Sequence, residues 1–113
     1  IMLPDSSAIP SDKNKFKFAD TGIQLLYDSM IKSGAAASRI TAKIAGGANM
    51  FATTSPAMSI GDRNVEATKK ALAKLGVPII ASDTGLNYGR TVSFNAADGS
   101  LEIMSSLKGN KTI

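Results

Sequence analysis

The spacing of apolar residues changes along this chain, and the changes mark its elements. Between Asp20 and Gly34, Ile23, Leu26, Tyr27, Met30 and Ile31 recur at 3.6-residue intervals, which predicts an amphipathic helix. Asp20 is its expected N-cap and Gly34 its C-terminal cap. Over residues 40–45 the period falls to two, with Ile40, Ala42 and Ile44 on one side, as in a strand. A second helix is expected to start near Asp62, after Gly61. Val65, Thr68, Leu72 and Leu75 form its apolar stripe, and Glu66, Lys69, Lys70 and Lys74 its wet face. Gly76 and Pro78 end it. Ile79-Ile80-Ala81 is wholly apolar, the pattern of a central buried strand. Val92 with Phe94, then Leu101 with Ile103, alternate on two further strands, and Asp98-Gly99 between them signals a hairpin.

Ahead of the first helix, residues 4–17 read as a polar loop carrying Pro4 and Pro10. Ile1-Met2-Leu3-Pro4 reads as the last residues of a strand stopped by proline, and such an apolar start suggests that sequence precedes it. The order strand end, helix, strand, helix, strand, hairpin predicts an α/β (α+β) fold. It has a mixed sheet, two main helices on one face and a C-terminal β-hairpin. With no repeat or low-complexity linker, residues 1–113 are expected to form one domain.

Composition narrows the chemistry more than the fold. Apolar residues at 43% against 19% charged exclude a disordered charged tail, and no apolar run approaches the length of a transmembrane helix. Asp5, Asp12 and two prolines near the start do not read as a signal peptide. The chain has no Cys, His or Trp. That removes disulfides, thiolate chemistry, the usual zinc ligands and the commonest general base, so no metal and no cofactor is expected. Thirteen Lys and Arg against nine Asp and Glu leave only +4, scattered except at Lys69-Lys70 and Lys13, Lys15 and Lys17. With aromatics at 5% there is little from which to build a base-stacking surface, which argues against nucleic acid.

Three loops carry the polar and glycine residues that a site needs. Gly46-Gly47, followed by Asn49, resembles a phosphate cradle superficially but matches neither the dinucleotide fingerprint nor the P-loop. A close backbone approach to a neighbouring element is the favoured reading. In Ile60-Gly61-Asp62-Arg63-Asn64, Asp62 is expected to cap its helix, and Arg63 to brace two loops by pairing with a carboxylate such as Asp83, with contact to a ligand as the second reading. Asp83-Thr84 follows a strand, where α/β folds often place functional groups. As a single Asp-Thr-Gly it lacks the second carboxylate of an acid protease, and a capped turn is the default. Tyr88-Gly89-Arg90 ends that loop. Ser6 and Ser7 have no histidine to activate them. Met50-Phe51 is read first as core and second as an exposed anchor for a protein partner.

Taken in order, Met2-Leu3-Pro4-Asp5-Ser6, Ala19-Asp20-Thr21, Ala42 to Phe51, Ile60 to Asn64, and Ile79 to Gly85 with Gly89-Arg90 resemble the CheD family of bacterial chemotaxis proteins. The resemblance covers essentially the whole chain. It implies an α/β/β sandwich and a cytoplasmic chemoreceptor glutamine deamidase that uses a cysteine nucleophile, a histidine base and a threonine that orients the histidine. It also implies, as partners, the cytoplasmic helices of methyl-accepting chemoreceptors and the CheC phosphatase, without membrane insertion. The family's three catalytic groups lie upstream of the Met-Leu-Pro block, outside these residues, so no catalytic residue is expected within this chain. Ser6, Gly46, Gly47, Asn49, Arg63, Asp83, Thr84 and Arg90 are expected to lie in loops beside the site, and Met50 and Phe51 to bind a partner. Leu86 stands where the family usually has a second glycine. Two accounts stay open: part of a longer deamidase, which is favoured, or a shortened inactive form that serves as a binding module.

Overall fold

A computed structural model of the chain describes residues 1–49 and 59–113. Its elements are α1 (Ala19–Lys32), β1 (Ala42–Gly46), α2 (Ile60–Lys74), β2 (Ile79–Thr84), β3 (Thr91–Asn95), β4 (Ser100–Ser105) and β5 (Gly109–Thr112). Short 3-10 turns at Ser6–Ala8, Lys15–Lys17 and Ala37–Arg39 fill the connections. β1 and β2 pair in parallel, joined through α2, while β3, β4 and β5 form an antiparallel meander. The expected single mixed sheet is, among the described residues, two separate sheets, one parallel and one antiparallel, because the chain beyond β2 pairs with itself and not with β1 or β2. The α+β architecture matches the expectation from the sequence.

The strand end at the start of the chain is real but brief. Leu3 bridges Phe18 in parallel, and Met2 and Leu3 both donate to the Lys17 carbonyl. Phe18, 1% exposed, is consequently sealed at the foot of α1. Ile40, Leu72 and Val77 form the main core, with Ile23 and Tyr27 of α1, Ala42 and Ile44 of β1, and Leu75 and Ile79 packed around them. The expected stripe of α1 is only partly used. Leu26 is 60% exposed, and Met30 and Ile31 also reach solvent, because α1 meets the core chiefly through Ile23 and Tyr27.

Both helix starts differ from the sequence reading. Phe18, not Asp20, occupies the N-cap of α1, and the Asp20 carboxylate instead accepts hydrogen bonds from the backbone N–H and hydroxyl of Ser6, the latter at 2.8 Å. Ser59 caps α2, its oxygen accepting from the Asp62 N–H, and Asp62 sits three residues on. That Ser-x-x-Asp arrangement has the logic of a capping box and begins the helix before Gly61. The C-terminal ends follow expectation. Gly34 and Gly76 both adopt positive φ and donate back to the last turns of α1 and α2.

Ile80 was expected inside a central strand. It is 59% exposed, because β2 pairs only with β1 among the described residues and its outer face borders an apolar groove of about 520 Å³. Ile23, Leu26, Tyr27, Phe94 and Leu101 line the same groove. The Lys43 ammonium crosses from β1 to the meander, donating to the Gly99 carbonyl at 2.6 Å and the Ile113 carbonyl at 2.9 Å. The expected hairpin joins β3 to β4, with Asn95 and Asp98 side chains accepting from the turn's N–H groups. β5 adds a strand that the sequence pattern did not announce. Among the described residues no helix is long and apolar enough to cross a membrane.

The two sheets are tied by Lys43 through one side chain, which sets a test. Lys43→Met keeps the stem and removes three N–H donors, leaving the Gly99 and Ile113 carbonyls without this partner. It should lower stability by about 1–3 kcal/mol in denaturant unfolding.

Candidate functional site

The loops that leave the C-terminal ends of β1 and β2 are held together by backbone. Gly46 lies opposite Thr84 in the ladder, and its carbonyl accepts from the Gly85 N–H at 2.9 Å. Three residues on, the Asn49 N–H donates to the Leu86 carbonyl at 2.8 Å. The same β1 loop presses on the first turn of α2. A methyl group on Gly61 would overlap the Gly47 carbonyl oxygen and lie 2.6 Å from that of Ala48, and one on Gly47 would overlap Val65. Gly47 also has φ +69°. Two glycines thus permit a backbone-on-backbone contact that no side chain could enter, in line with the close-approach reading.

Asn49 connects this contact to the helix cap. Its Oδ1 accepts from the Ser59 hydroxyl, and its Nδ2 lies 3.3 Å from Asp62 Oδ2. Across the cluster, Asp83 at the end of β2 accepts from Arg90 Nε at 3.0 Å and from Lys111 Nζ of β5 at 2.9 Å. The Arg90 side chain, only 2% exposed, also donates through Nη1 to the Gly85 carbonyl at 3.1 Å and lies 4.2 Å over the Tyr88 ring. Asp83 therefore braces Arg90 and Lys111, and the expected pairing with Arg63 does not occur. Arg63 projects from the exposed side of α2 into a groove of about 500 Å³ beside Pro4, Asp5 and Asp20.

Asp83 and Thr84 end a strand instead of forming the default capped turn. The Lys111 hydrogen bond, then that of Arg90, holds the Asp83 carboxyl below its ordinary range despite its burial. Committed to two cations, Asp83 is an ionic brace and not a general base. The loop itself is strained: Leu86 takes φ +61°, a left-handed conformation costing a non-glycine residue about 1–2 kcal/mol.

Gly46, Gly47, Asn49, Asp83, Thr84 and Arg90 accordingly come together at one end of the parallel pair. Ser6 lies apart on the N-terminal turn, bound to Asp20, and Arg63 faces the groove just described. Met50 and Phe51 lie outside the described residues. The sequence reading overlooked Asn64, whose Nδ2 donates to the Met2 carbonyl at 3.0 Å and ties α2 to the N-terminal segment. Asn64 also lines a cavity of about 330 Å³ with Ile1, Gly47 and Thr84, so the glycine loop and the N-terminal segment border one space. Its only signal in the sequence was adjacency to Arg63 in the Gly-Asp-Arg-Asn run. Among the described residues no three acidic side chains gather as metal ligands. This end of the molecule gathers hydrogen-bonding backbone and the Thr84 hydroxyl around a buried Arg90 whose charge is already paired with Asp83.

The molecule is thus of the α+β class, with a glycine-built loop cluster over the ends of a parallel strand pair. The chain matches the family described as CheD, chemotactic sensory transduction, over residues 2–105. Over the whole chain it is 52% identical to the probable chemoreceptor glutamine deamidase CheD of Caldanaerobacter subterraneus subsp. tengcongensis, covering 71% of that protein. The protein of the same name in Lachnoclostridium phytofermentans is 51% identical with the same coverage. A Methanosarcina acetivorans protein named CheD 1 is 42% identical over 99% of this chain and 69% of its own length. The chain belongs to the CheD family.

Asp83 generates two expectations. Asp83→Ala strands the Arg90 charge in a buried position and should cost about 3 kcal/mol of stability. Because the folded-state pKa of Asp83 is depressed, its contribution is present above the ordinary carboxylate pKa and is lost as pH falls from there through the folded-state value. Unfolding followed from pH 7 down to pH 2 should show an acid decline that is shallower in Asp83→Asn than in the parent.

Proposed function

We propose that the protein is a chemoreceptor glutamine deamidase, acting in the cytoplasm on the cytoplasmic helices of methyl-accepting chemoreceptors. The observation that carries this reading is 52% identity over the whole chain to a relative named for that activity. The reaction adds water to a glutamine side-chain amide, giving glutamate and ammonia. Family resemblance supplies its logic: a cysteine thiolate attacks the amide carbon, ammonia leaves with a proton from the histidine, and water hydrolyses the thioester. Residues 1–113 hold neither Cys nor His, so this reading needs both groups from outside these residues. In this reading 1–113 is one domain whose loops at Gly46-Gly47-Asn49 and Asp83–Arg90 flank the catalytic groups and hold the receptor segment.

The absence of a nucleophile and base within the chain favours one second reading, a binding module that docks the CheC phosphatase or the receptor through Met50 and Phe51. Two measurements separate the readings. The native protein mixed with receptor should release ammonia, whereas a polypeptide of residues 1–113 alone should release none; release by that polypeptide would place the nucleophile inside it. Phe51→Glu should abolish CheC binding with the circular dichroism spectrum unchanged, and an unfolded variant would make Phe51 a core residue.

A further inference from the structure

We infer that Leu86 is a specificity-determining contact, an apolar finger that the loop after β2 presents to the receptor segment bearing the target glutamine. The inference rests on the deamidase reading above. Three observations at one residue carry it. Leu86 has φ +61° and is the only non-glycine residue with positive φ among the described residues, at a position where glycine or asparagine would fit without strain. Its side chain is 62% exposed, so the strain is not compensated by burial in this chain's own core. Its backbone is nonetheless rigidly held: the carbonyl accepts from Asn49 N–H, the preceding Gly85 is bonded at both its N–H and its carbonyl, and Arg90, itself buried, anchors the loop.

Strained, exposed and fixed is a combination that folding alone does not favour. Strain of this kind persists where a side chain is needed in one place. The place is the end of the parallel pair, among Gly46, Asn49, Thr84 and Arg90, where the carboxyl ends of parallel strands commonly present ligands. A branched aliphatic side chain there recognises another apolar or methylene-rich side chain. The contact would select among receptor segments by the residue that flanks the glutamine.

Leu86→Gly and Leu86→Asn in the native protein, assayed for ammonia release from receptor together with thermal melts, test this. Both variants should melt at or above the parent's temperature, since both suit positive φ. Both should lower kcat/KM for receptor by roughly five- to tenfold, carried by KM, as expected for losing burial of much of a leucine side chain. Unchanged kcat/KM in folded variants overturns the inference, and so does a loss accompanied by a lower melting temperature, which would make Leu86 structural. A native parent that releases no ammonia overturns the deamidase reading instead, and the inference with it.

Discussion

The contact between the Gly46–Ala48 backbone and the first turn of α2 is the constraint on which the rest of the site depends. Where Gly47 and Gly61 meet there is no room for a methyl group on either residue. That closeness sets where Asn49 falls, and Asn49 in turn joins the Ser59–Asp62 cap to the Leu86 carbonyl. The Gly46 carbonyl fixes Gly85 on the other side. One van der Waals contact between backbones therefore registers two loops and a helix start against each other, at the end of a strand pair already tied by its own ladder. Side chains refine the arrangement; they do not create it.

The Asp83–Arg90–Lys111 group has a different task. Buried ion pairs add little net stability over an apolar replacement, but they are geometrically demanding. Here Arg90 donates from the edge of its guanidinium to Asp83 and Gly85 and lays a face over the Tyr88 ring, so the loop from Thr84 to Arg90 is closed at both ends. Lys111 brings β5 into the same network and so couples the antiparallel meander to the parallel pair. Lys43 makes a second such link from β1. Both ties use long cationic side chains.

The helices, β1, β2 and the β3–β4 hairpin were legible in the sequence because each has an apolar period or a turn residue that only one structure satisfies. Gly34, Gly76 and Asp98-Gly99 are of that kind. β5 was not legible: Gly109-Asn110-Lys111-Thr112 has no apolar alternation, and only pairing with β4 makes it a strand. Asp62 and Asp20 were misplaced as N-caps because a serine or a plain backbone start can begin a helix a few residues earlier. The Arg63 pairing failed because Arg90 is seven residues from Asp83, across a tight loop, while Arg63 points away from it. The exposure of Ile80 depends on how many strands flank β2, which no local pattern encodes. For the site, the glycine loops were visible as chemistry-bearing segments, but the role of Asn64 in tying α2 to Met2 was not.

Whether these loops serve glutamine deamidation of chemoreceptors is decided by peptide mapping: mass spectrometry of a receptor cytoplasmic domain before and after incubation with the native protein. Glutamine should be converted to glutamate at a few defined positions and nowhere else in the receptor. A receptor left unmodified by folded, native protein would contradict that role.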